Sequence, residues 1–104
     1  MATKYVSATK VISPKQHWAL ISVLEDEGPG EGALAVGRWD NKPVLAMRWN
    51  GDNEDNPIGN PQSRGLPTWF IIPDSYVEAI LGTLSSDKLT LARNFLPKPA
   101  RSAA

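Results

Sequence analysis

The clearest hydrophobic pattern in the chain is a pair of apolar runs, residues 33–39 and 44–49, joined by Asp40-Asn41-Lys42-Pro43. Asn41 tolerates positive φ and Pro43 closes the turn, so the pair reads as a tight β-hairpin. Taking Asn41 and Lys42 as the loop sets Trp39 opposite Val44, Gly37 opposite Ala46 and Leu34 opposite Trp49. Side chains alternate along a strand. One face therefore carries Leu34, Val36, Leu45, Met47 and Trp49, with Arg38 beside the turn. The other carries Ala33, Ala35, Gly37, Trp39, Val44, Ala46 and Arg48. The first reads as a core face. The second is lined by small residues at its centre and admits close approach by a helix or another strand.

Downstream, Trp69-Phe70-Ile71-Ile72 lies between Pro67 and Pro73 and is apolar on both faces, which predicts a buried strand. Ser75 and Glu78 have capping-box spacing, with Asp74 just before, and Tyr76, Val77, Ile80, Leu81 and Leu84 recur at helical intervals. A helix is predicted over 75–84. A second short one follows over 87–95, where Leu89, Ala92 and Phe95 or Leu96 extend the stripe.

Residues 13–27 carry two conflicting signals. Ser13-Pro14-Lys15-Gln16 has the form of a helix start, with a capping side chain, proline at the first position and Gln completing a box. Glu25-Asp26-Glu27, however, would put negative charge at a helix C-terminus, which the macrodipole opposes. Trp18, Leu20, Ser22 and Leu24 alternate with Ala19, Ile21 and Val23 as a strand requires. We read a strand, with 25–32 as the loop into Ala33, although the helix stays open on sequence alone. With 6–12 as a candidate further strand, the fold class is α+β. A single small domain over 1–96 pairs an antiparallel sheet of four or five strands with one or two C-terminal helices. Residues 97–104, with two prolines and small side chains, read as a flexible tail.

Composition narrows the chemistry. At 104 residues the chain is long enough to close one core without staples. It has no cysteine, which removes disulfides, thiol nucleophiles and thiolate metal sites, and its one histidine removes multi-histidine centres. No apolar run reaches the roughly eighteen residues of a membrane span, and the first residues lack a secretory pattern; a cytoplasmic location is expected. Eleven cations balance eleven acids, but unevenly. Residues 1–24 carry three lysines and no acid, residues 88–104 carry four cations and no acid, and 25–87 hold every acid. Without a net basic excess, duplex nucleic acid is not an expected partner.

The connection 50–65 is sixteen residues long, with Ile58 its single aliphatic side chain apart from prolines. Polar connections of that length in a small domain are usually functional or unstructured. Asp52, Glu54 and Asp55 are calcium-type oxygen ligands, but EF-hand spacing is missing and no metal site is assigned. The second half gathers amide, hydroxyl and guanidinium donors and leads to Trp69. Arg48 enters from the other side, so closure between neighbouring strands brings Arg48, Asn50, Arg64 and Trp69 into one patch. Arginine grips carboxylate or phosphate with a planar fork and stacks on indole; the competing interpretation is structural packing of arginine over tryptophan. The candidate binding residues are Arg48, Asn50, Asn60, Gln62, Ser63, Arg64 and Trp69.

Four tryptophans raise the idea of an aromatic platform. Tryptophans at strand positions are mostly core, and Trp39 is the one expected at the surface. His17 has no nucleophile-elbow serine to serve, and Gly28-Pro29-Gly30-Glu31-Gly32 lacks the lysine of a phosphate loop. No catalytic residue and no cofactor are assigned. The leading expectation is a small non-catalytic binding or regulatory module, monomer or weak homodimer, contacting a protein or small anionic ligand through 50–65. Two alternatives are a small hydrolase or metal-assisted enzyme using His17 with Asp52, Glu54 or Asp55, and a self-associating protein.

Overall fold

Three long strands, β1 (Trp18–Asp26), β2 (Gly32–Trp39) and β3 (Lys42–Trp49), run antiparallel in a computed structural model that describes residues 5–97. Residues 98–104 of the predicted tail lie outside the described residues. A small hairpin of β4 (Gln62–Ser63) and β5 (Leu66–Pro67) follows, then β6 (Phe70–Ile71), which joins the other edge of β3. Two helices end the chain, α1 (Asp74–Leu81) and α2 (Ser86–Phe95). The result is an α+β arrangement, a four-stranded antiparallel sheet in the order β1-β2-β3-β6 with two C-terminal helices.

The central turn is as short as the sequence predicts but lies one residue earlier. Its two residues are Asp40 and Asn41, at φ 50° and 71°, and Trp39 faces Lys42. Asp and Asn both tolerate the left-handed region, and a two-residue turn of that hand matches strand twist. Gly37 therefore faces Val44 and Leu34 faces Met47, two positions from the predicted register. A shift of two leaves every side chain on its predicted face.

Both faces carry a buried cluster. The small-residue face (Ala33, Ala35, Val44, Ala46) packs with Trp18 and Trp69, and with Ala8 and Val11 from the N-terminal segment. Close approach depends on Gly37, where a Cβ would meet the Trp18 ring at 2.3 Å. The expected strand over 6–12 is not there. That segment instead makes a 3-10 turn at Ala8–Lys10 and covers the tryptophans, with Val11 fully buried. The opposite face sets Leu34, Val36 and Leu45 against Leu81 and Ala92 of the helices, together with Leu24 and Ile72.

Residues 13–17 form a turn, not a helix, and the strand begins at Trp18, where the amides of His17 and Trp18 both donate to the Pro14 carbonyl. Simple alternation along β1 fails, because register shifts fall between Leu20 and Ser22 and again between Val23 and Glu25. Each inserts an unpaired residue. Leu20 and Val23 thus pack with the tryptophans while Leu24 joins the helix side, and Glu25 meets Lys88 of α2 at 3.0 Å.

Three further expectations are corrected at the C-terminal side. The helix begins at Asp74 behind Pro73, with no side-chain cap bond, and Glu78 binds Arg93 instead of closing a box. Tyr76 is 61% exposed. The buried line of so short a helix is Val77, Ile80 and Leu81, and a residue adjacent to Val77 points about 100° away from it. The ladder at 69–72 covers only Phe70–Ile71, an edge strand, although Trp69 and Ile72 are buried as predicted.

The helix-bearing face is only partly covered. Helices of eight and ten residues span roughly 12 and 15 Å, against roughly 27 Å for β3. Beyond them Met47 is 41% exposed, Phe70 53% and Trp49 61%. Trp49, expected in the core, is the exposed tryptophan. Trp39, expected at the surface, is half-buried beneath His17.

Candidate functional site

The polar excursion after β3 is folded, and its root is built from buried polar side chains. Arg48 sits on the small-residue face at 3% exposure, and its guanidinium donates to the carbonyls of Thr68 and Ile58. It also lies 6.0 Å from the centre of the Trp69 ring. One side chain thereby ties both flanks of the excursion to the sheet. Burial lowers the Arg48 pKa, yet guanidinium titrates so far above neutrality that the charge stays. Trp69 is held from the other side, its Nε1 donating to the Val11 carbonyl at 2.8 Å.

Asn50 does the same for the β1–β2 connection. Its Nδ2 donates to Asp26 Oδ1 and to the Gly28 carbonyl, both at 2.9 Å, while its backbone amide donates to Glu31. Gly59 lets the chain pass over Arg48: at φ 68°, a Cβ there would lie 2.2 Å from the Trp49 carbonyl oxygen. Asp52 closes the acidic tip by accepting from the amides of Glu54 at 2.9 Å and Asn56 at 3.0 Å. Those amides hold its carboxyl below the usual carboxylate range.

The remaining predicted residues lie outside this root. Asn60 is exposed and bridges Trp49 by two backbone hydrogen bonds, 2.8 and 3.0 Å. Gln62 Nε2 donates to Asn56 Oδ1 at 3.0 Å and to the Gly59 carbonyl at 2.9 Å. Ser63 is exposed in β4, and Arg64 and Gly65 form the turn of the small hairpin at φ 53° and 79°. The structure thus brings Arg48 and Trp69 together with buried Asn50 nearby in sequence, and carries Ser63 and Arg64 on a protruding hairpin.

Two features escape the sequence patterns. The first is the apolar strip. Met47 pairs directly with Phe70, and Trp49 stands two residues along the same strand, so the three side chains share one face at neighbouring spacing. The signal was present in the lengths, since the predicted helices are too short for the strands they cover. The second is the charge of the surrounding loops. The amide of Gly30 donates to Gly51 and that of Asn50 to Glu31, so the connections 27–31 and 50–56 lie against each other. Asp26, Glu27, Glu31, Asp52, Glu54 and Asp55 are gathered at that end of the sheet.

His17 lies at the other end, beside Asp40 at 2.7 Å, about 25 Å of strand away from the acidic loops. It therefore does not form a constellation with Asp52, Glu54 or Asp55. Among the described residues no group of three metal-ligating side chains is placed to hold an ion, and no helix is long and apolar enough to cross a membrane. Comparison with protein-family models, curated proteins and solved structures finds no match.

Proposed function

We propose that the protein is a non-catalytic binding module that works in the cytoplasm and docks a partner protein on the bare end of its helix-bearing face. One observation carries this reading: Met47, Trp49 and Phe70 stand exposed side by side on a rigid sheet. Tryptophan, phenylalanine and methionine are enriched at interface centres, and contiguous exposed apolar area on a small domain marks an interaction surface. Exposed Leu66, Asn60, Gln62, Ser63 and Arg64 give the strip a mixed rim on the hairpin side. Acidic loops border it on the other side, so the matching partner is a protein segment that combines apolar side chains with lysine or arginine. A small anion is a poorer occupant here, because Arg48 is spent on two backbone carbonyls and acids surround the strip. The cytoplasmic setting is supported by a cysteine-free chain, which draws no stability from an oxidising compartment.

The test is a titration of the labelled protein with a model peptide alternating leucine and lysine, and with a leucine–glutamate control, followed by NMR. Saturable shifts confined to the Trp49 indole, Met47 and Phe70, seen with the basic peptide and abolished by Trp49→Ser, are expected. Equal response to the acidic peptide, or no response at the strip, would contradict the proposal. Sedimentation covers self-association: a concentration-dependent dimer lost in Trp49→Ser would make a second copy the occupant and overturn the partner reading.

A further inference from the structure

Opposite the acidic loops, the entry to β1 and the β2–β3 turn enclose a shallow cavity of about 230 Å³, lined by Lys15, Gln16, His17, Arg38, Asp40 and Asn41 among others. The imidazole in its wall is fixed from two directions. Nδ1 of His17 lies 2.7 Å from Asp40 Oδ1, and the ring stacks on Trp39 with centroids 5.2 Å apart and planes 22° from parallel. A carboxylate at Nδ1 keeps the proton on that nitrogen, which leaves Nε2 on the opposite edge of a ring that cannot turn freely. Arg38 is held as well, its guanidinium lying 5.0 Å from the centre of the Phe95 ring. Lys15 and Arg38 are the two basic residues of the lining, and Gln16 and Asn41 contribute side-chain amides. Asp40 is the single carboxylate among these lining residues, and His17 engages it.

We infer that this cavity binds the phosphate group of a small phosphomonoester. Two cationic side chains, the side-chain amides of Gln16 and Asn41, and an imidazole that donates from Nε2 when the ring carries both protons match an oxyanion of high charge that accepts hydrogen bonds on several oxygens. The volume falls below the roughly 300–1,000 Å³ of pockets that enclose a drug-sized molecule, so the site takes the anionic head and leaves the ester arm in solvent. The site is independent of the apolar strip: the cavity lies at the β2–β3 turn, and the strip at the far end of β3.

The experiment is an NMR titration of the full chain with O-phosphoserine, with inorganic phosphate and with acetate, at constant ionic strength in chloride. O-Phosphoserine is expected to give saturable shifts of the His17 ring and of the Gln16 and Asn41 amides, at least as tightly as inorganic phosphate and more tightly than acetate. Hydrogen bonds to charged groups are worth about a factor of ten or more each, so Lys15→Gln with Arg38→Gln should weaken binding at least that far. Both residues are exposed, and the dispersed spectrum of the sheet reports that the variant remains folded. Arg64→Gln, on the distant hairpin, should bind like the parent chain. Shifts no larger than chloride produces, binding of inorganic phosphate alone, or unchanged affinity in the double variant would each overturn the inference.

Discussion

Arg48 and Arg64 flank one polar excursion and look interchangeable in the sequence, yet they live in opposite environments. At the root, Arg48 is enclosed by the tryptophan face and donates from Nη1 to the Thr68 carbonyl and from Nη2 to that of Ile58. At the crest, Arg64 occupies the left-handed turn of a two-strand hairpin and is exposed. The difference comes from the sheet. A cation at an inward strand position must find acceptors or unfold its surroundings, whereas one at a protruding turn keeps its hydration. The length of the excursion therefore does not mark looseness: its root is tied to the sheet by buried side chains, and its crest is exposed.

Removing the pin should have the largest effect. Arg48→Ala strips the Thr68 and Ile58 carbonyls of their donor, and a polar group left unsatisfied costs about 1–3 kcal/mol; urea unfolding should show a loss of stability of at least that size. An unchanged midpoint would place the root on a par with the crest. Gly59→Ala comes next. Left-handed backbone and a Cβ too close to the Trp49 carbonyl should together cost about 2 kcal/mol or more, without altering the hairpin resonances at Ser63 and Arg64. Trp49→Ser sharpens the comparison from the other direction. Although Trp49 belongs by alternation to the helix-bearing face, its exposure limits the expected stability change to about 1 kcal/mol, and thermal unfolding would reveal a hidden core role as a larger drop. Arg64→Ala should change stability by less than about 0.5 kcal/mol.

The smallest effect is local. The Asp52 carboxyl titrates below its ordinary value because the amides of Asn56 and Glu54 bond its charged form. A depressed folded value means that the stabilisation is present above the ordinary carboxylate range and fades as pH falls through the lowered value. Hydrogen exchange at the Glu54 and Asn56 amides should therefore lose protection in acid before the central strands do, and Asp52→Asn should remove that pH dependence.

The hairpin faces and both helices were legible because period-two and helical patterns report burial directly. Even a turn misplaced by one residue on each strand preserved the faces, since the resulting register error was two. The double switch of β1 was not legible: nothing in Trp18-Ala19-Leu20-Ile21-Ser22-Val23-Leu24 announces which residue is left unpaired. Of the candidate set, the meeting of Arg48 with Trp69 followed from loop closure. What periodicity withheld was cover. It put Trp49 and Trp39 on opposite faces correctly, but which was exposed depended on where short helices stop and on a histidine stacked over Trp39. Asp40 and His17, twenty-three positions apart, meet only once β1 lies beside β2.

The contrast between root and crest is tested most directly by ¹⁵N-edited NMR of the arginine guanidinium groups. Arg48 should show separate, slowly exchanging Nη–H signals with cross-relaxation to Ile58 and Thr68, while Arg64 shows a single averaged, rapidly exchanging set. Averaged, solvent-exchanging signals for Arg48 would contradict the division of labour between the root of the excursion and its crest.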